Sequence, residues 1–179
     1  MSARRVLRLG VPLLLALTAC GGGGGGGGPT SPPPPTKGIV FTATGSGGAG
    51  ITLAQAASSD PNTLLLEVRA NAVTDLYGVA FDLHFPTAVL RYVTATPGTF
   101  LTGGTVQTVE GAGGVVIVGA SKLGAVSGAS GSGVLVTLQF QGSATGTGLF
   151  SFARNTAVNS TGQTLSSLTW SAGTVNVTL

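Results

Sequence analysis

Charge is what this chain has least of. Aspartate, glutamate, lysine and arginine make up 7% of its 179 residues, against about 25% in ordinary soluble domains. Three of the basic residues, Arg4, Arg5 and Arg8, stand at the very start. From Cys20 onward Lys37, Arg69, Arg91, Lys122 and Arg154 are matched by Asp60, Glu67, Asp75, Asp82 and Glu110. The basic pI of about 9.6 therefore comes from the leader. The remainder has no excess charge with which to neutralise phosphates, so no nucleic-acid partner is expected. The single cysteine excludes a disulfide within the chain. The single histidine, His84, leaves any zinc site short of ligands. None of the five carboxylates falls in a recognisable pair of the kind glycoside hydrolysis needs. The run Gly45-Ser46-Gly47-Gly48-Ala49-Gly50 lacks the lysine and following helix of a phosphate loop and reads as a turn. No catalytic residue, metal or cofactor is expected, and enzyme activity is not. Aromatic residues are scarce too, at 6%, which leaves little for a flat sugar-stacking platform.

The N-terminus reads as a targeting signal. The three arginines form a positive n-region, and Val11-Pro12-Leu13-Leu14-Leu15-Ala16-Leu17 is an apolar core. That core is too short for a permanent membrane span, which takes about 20 apolar residues. It runs into Leu17-Thr18-Ala19-Cys20, which resembles the bacterial lipobox; there the cysteine is acylated after cleavage and becomes the new N-terminus. Residues 1–19 are thus expected to be a lipoprotein signal peptide and Cys20 a lipid attachment point, the alternative being an ordinary secretory signal with an incidental cysteine. Two or more acyl chains hold a protein to a bilayer stably where one does not. Gly21, rather than Asp, follows the cysteine, so placement in the outer membrane or at the cell surface is expected. Residues 20–37 continue as an unbroken glycine run and PTSPPPPTK. Neither composition can build a core, and the segment reads as a tether with an r.m.s. span of roughly 20–25 Å.

From residue 38 the pattern changes to short strands separated by Gly, Ser, Asn or Pro. Strands are expected at 38–44, 63–72, 76–85, 88–94, 104–110, 114–120, 133–142, 147–153 and 168–178. Only the stretch from Leu53 to Asp60 reads as a short helix or loop. The clearest strand is LYGVAFDLHFP: Tyr77, Val79, Phe81, Leu83 and Phe85 alternate with Gly78, Ala80, Asp82 and His84, which assigns the first set to the core and the second to the outer face. Val134, Val136, Leu138 and Phe140 are likewise expected to point in, with Leu135 and Gln139 out. One apolar face per strand implies two packed sheets. The fold class is all-β, a nine-stranded sandwich with jelly-roll or Greek-key connections, occupying 38–179.

Three blocks in this region resemble one family. GVAFDLHFPTAVLRYVTATPG is similar to the cohesin signature, in which a glycine and alternating aromatics lead to a proline corner, a Val-Leu pair and a Thr-Pro-Gly turn. GSGVLVTLQFQGSATGTGLFSF, from Gly131 to Phe152, resembles the cohesin Gly-x-Gly strand ending in Phe, and LTWSAGTVNVTL resembles the family's last strand. The corner departs from the family in lacking an Asp before Pro86. The resemblance implies a β-sandwich that binds a dockerin-like protein module through one face, in a system linked to extracellular polysaccharide degradation. It places Gly78, Ala80, Asp82 and His84 on the partner-facing strand. Many cellulosomal cohesins carry Asn and Asp where this chain has Gly78 and Ala80, and no repeated Asp/Asn-rich calcium loop of a dockerin occurs in it. The residues alone read Asp82 and His84 as an exposed polar pair. The alternative functions are a carbohydrate-binding module, for which Tyr92 and Trp170 are the candidate surface aromatics, and a generic adhesive lipoprotein.

Overall fold

The computed structural model describes residues 36–45 and 47–179. The expected signal peptide, Cys20 and nearly all of the tether lie outside the described residues.

Ten strands form two packed sheets, and no helix occurs among the described residues. In chain order they are β1 (Gly38–Ala43), β2 (Gly50–Ala56), β3 (Thr63–His84), β4 (Leu90–Pro97), β5 (Thr105–Gly111), β6 (Val115–Ser121), β7 (Ala129–Gly142), β8 (Gly146–Asn159), β9 (Thr169–Ser171) and β10 (Gly173–Thr178). The strand β3 belongs to both sheets. Its first half pairs with β2 and β7, giving the order β9-β2-β3-β7-β4, and its second half pairs with β6 and β8, giving β5-β6-β3-β8-β10-β1. The chain passes back and forth between the sheets, as expected of jelly-roll and Greek-key winding.

The class is the one the alternation predicts, with local differences: β7 begins at Ala129 rather than 133 and β8 runs on to Asn159 rather than ending at 153, and three further changes alter the strand count. The strands expected at 63–72 and 76–85 are one strand of 22 residues. The apparent break is a pair of irregularities in the ladder with β7, where Ala72 and Asp75 take φ of 45° and 53°. Backbone N–H groups that leave a ladder need other acceptors. The Ala72 N–H donates to Ser132 Oγ at 2.9 Å, and that of Asp75 to Ser130 Oγ at 3.0 Å. The stretch from Leu53, expected as helix or loop, is strand as far as Ala56: Ile51 and Leu53 are fully buried in β2. The segment 168–178 is divided at Ala172, so that Trp170 lies in one sheet and Val175 in the other.

The core lies between the sheets. Phe81 and Phe140 are among its largest fully buried side chains, as the alternation requires. Phe140 packs at 5.1–5.8 Å centroid distance against Phe85, Tyr92 and Phe150. In β7 the expected phase breaks once: the register skips Leu135 between Val136 and Val134, so Leu135 is buried and Val134 half-buried. A bulge turns consecutive side chains toward the same face.

Candidate protein-interaction face

Antiparallel register determines which side chains share the outer surface of the β5-β6-β3-β8 sheet. Gly78 lies opposite Ser121 and Val158, Ala80 opposite Gly119 and Thr156, Asp82 opposite Ile117 and Ala153, and His84 opposite Val115 and Ser151. The edge strand β5 extends these rows with Thr105, Gln107, Val109 and Gly111. Small residues in the first two rows leave a depression. Gly78, Ala80 and Gly119 floor a groove of about 360 Å³ whose sides include Thr105, Gln107, Thr156 and Val158. A Cβ built on Gly119 meets nothing within 4 Å, so its missing side chain is space open to the outside rather than room taken by a neighbour.

The third row is higher, and its chemistry differs from expectation. Asp82 is not exposed: it is 5% accessible, the one charged residue among the described residues that the fold buries. The cover is Arg154. Between the pairs Ala80–Thr156 and Asp82–Ala153 the strand β8 bulges, and Arg154, with φ of 46°, turns its side chain across β3. Its Nε donates to Asp82 Oδ2 at 2.6 Å, and its Nη2 donates to the same oxygen. The carboxylate side chain keeps 7% of its exposure and that of the arginine 77%. The sheet thus shows a cation outward, its counter-charge lying beneath. His84, two residues along, is exposed as expected, and Ala80 is exposed while Gly78 is buried. The residues expected on this face are therefore brought together in one strand, but Asp82 acts from below through Arg154.

This face is also the apolar one. Among the described residues eight large apolar side chains are exposed. Four of them, Val40, Val109, Ile117 and Leu149, project outward from this sheet, and Leu123 and Val126 stand in the loop that follows β6. The opposite sheet carries the Glu67–Arg69 ion pair and the Arg91–Gln141 hydrogen bond on its surface, with Val93 as the one of the eight that it exposes. Exposed apolar area concentrated on one face marks an interaction surface.

The aromatic candidates for sugar contact do not form a platform. Tyr92 is half-buried against Phe140, and its hydroxyl donates to Thr108 Oγ1 across the two sheets. Trp170 is half-buried against Phe81 and Phe152, at 5.7 and 5.2 Å between ring centroids. Both rings seal the sandwich. Among the described residues no three His, Cys, Asp or Glu side chains converge on a metal site.

The model of the cohesin domain family matches residues 49–177. The chain belongs to the cohesin domain family. Solved structures agree on the fold. The sixth cohesin of scaffoldin B from Acetivibrio cellulolyticus, determined in complex with a Cel5 dockerin mutant, is 14% identical, with a TM-score of 0.60 over 74% of this chain and 100% of that one. A non-cellulosomal cohesin from the archaeon Archaeoglobus fulgidus is 13% identical, with a TM-score of 0.54 over 75% and 87%. The cohesin of the Coh-OlpC–Doc435 complex from Clostridium thermocellum gives 12% and 0.56 over 65% and 85%. No curated protein matches the chain. In this cohesin domain Gly78, Ala80, Asp82 and His84 share one strand as the sequence pattern expects, whereas Gly119, Ile117 and Arg154, which line the same face, are not among the expected residues. Arg154 escapes the pattern because it sits at a bulge: the inward Phe150 and Phe152 share one parity and the buried Ala157 the other, a change of phase that shows only once the burial of Ala157 is known.

Proposed function

We propose that this cohesin domain is a non-catalytic docking module that takes a dockerin-like protein on the outer face of its β5-β6-β3-β8 sheet. The observation that carries the reading is the apolar face with its small-residue groove, coinciding with the strand on which the family resemblance places the partner. Gly78 and Ala80 remove the polar side chains found there in many cellulosomal cohesins, so shape and apolar contact carry more of the recognition. The dockerin complexes of the Acetivibrio and Clostridium cohesins support a dockerin as the kind of partner. The lipobox-like Leu17-Thr18-Ala19-Cys20 and the glycine-proline tether support presentation of the module from a bacterial membrane, with the outer membrane or cell surface favoured by Gly21. In such a position the module would hold a dockerin-bearing protein at the cell envelope, where degradation of external polysaccharide is the natural setting.

The test is titration of the purified chain with individual dockerin modules encoded by the same organism, and in parallel with insoluble polysaccharides. Saturable binding of at least one dockerin, with no retention on polysaccharide, is the expected result. Retention on polysaccharide without any dockerin binding contradicts it.

A further inference from the structure

The ion pair at the centre of this face fixes the sign of charge the partner must bring. We infer that Arg154 is a specificity-determining residue, and that the partner sets a carboxylate side chain against it while small apolar side chains fill the neighbouring groove. This rests on the docking reading above.

The argument is one of depth. Asp82 and Arg154 cancel in net charge, but they are not equally presented: the carboxylate is covered and the guanidinium is 77% exposed. A partner approaching the sheet meets the cation first. Two of the five guanidinium N–H donors are used on Asp82 Oδ2, and the other three are free to bind a planar acceptor such as a carboxylate. Around Arg154 the outer side of the sheet brings no exposed carboxylate to favour a basic partner, since Glu110 of β5 pairs with the inward Val116 and has the opposite parity to Val109. Ile117 and Val109 occupy its row, His84 the next, and the groove is walled by hydroxyl, amide and apolar groups. Asp75, further along β3, has its carboxylate occupied by the Gly128 N–H and by Ser160. A lysine or arginine set against Arg154 would meet like charge in a contact that excludes water, and such juxtapositions are strongly selected against. Asp82 is the positioning residue, holding the guanidinium over β3 next to the row that floors the groove.

The test uses a phage-displayed library of dockerin modules randomised at the surface positions of their helices, selected on the immobilised chain. Binders to the wild-type chain should carry Asp or Glu over Lys or Arg by at least tenfold at one recurring position. That enrichment should vanish on Arg154→Gln. It should invert on the double variant Arg154→Glu with Asp82→Asn, which reverses the charge without placing two carboxylates together. Thermal melts of each variant establish that it is folded. If the same binders emerge on all three baits yet fail to bind Gly119→Tyr, the charge assignment is overturned and the docking face stands. If they bind Gly119→Tyr as well as wild type, the docking reading falls with it.

Discussion

At the scale of single residues, depth and pairing decide what each side chain contributes. Phe140 touches three other rings and is fully buried, whereas its neighbour Gln139 points away from the core. Truncating Phe140 to Ala should cost about 3–5 kcal/mol, and Gln139→Ala less than about 0.5 kcal/mol, as read from urea melts. Equal effects would mean that the inward and outward faces have been misassigned. The Asp82–Arg154 pair should behave asymmetrically. Asp82→Ala removes a buried charge and releases an arginine that is already in water; the expected cost is below about 1 kcal/mol. Arg154→Ala leaves a carboxylate without its donors in a largely apolar row, and should cost about 1–3 kcal/mol. A larger loss for Asp82→Ala would contradict the geometry.

At the scale of elements, the bulges are what the alternation could not reveal. A period of two identifies β3 from Tyr77 to its end at His84 and much of β7, because each has several large apolar residues in phase. It fails where the phase slips. The polar stretch around Ala72 to Asp75 reads as a break between strands, yet serine hydroxyls on β7 take over the backbone donors and the strand continues. β2 escaped because Ile51 and Leu53 are its only large inward side chains, too few to establish a period. Asp82 was placed on the correct face, but its burial depends on an arginine 72 positions away that crosses at a bulge. The kink in β3 also holds a carboxylate whose pKa the fold lowers, Asp60 being another. Ser160 Oγ and the Gly128 N–H donate to the Asp75 carboxylate and hold its pKa below the usual carboxylate range. A carboxylate so depressed contributes stability that is complete above its unfolded pKa, about 3.9, and lost as pH falls through the lower folded value. Asp75→Asn keeps a residue tolerant of the left-handed backbone but has no proton to gain. Its melting temperature should fall less steeply than that of wild type between about pH 4 and pH 2. Parallel declines would remove Asp75 from the account.

At the scale of the whole molecule, the sandwich has two unlike outer faces, one polar with the Glu67–Arg69 ion pair, the other apolar and grooved. If Cys20 is the anchor, Cys20→Ser should move the protein from the membrane fraction to the soluble exported fraction; persistence in the membrane after a carbonate wash would contradict the anchor. The central claim, that the groove of the β5-β6-β3-β8 face is where a protein partner docks, is tested most directly at Gly119. Because a Cβ there meets nothing within 4 Å and the groove above it is open, and because glycine is a poor strand residue, Gly119→Tyr should leave the melting temperature unchanged or slightly higher while filling the groove. The measurement is the dissociation constant of the wild-type and Gly119→Tyr chains for the same dockerin module. The account predicts at least a tenfold loss, about 1.4 kcal/mol, in a fully folded variant; undiminished affinity would contradict it.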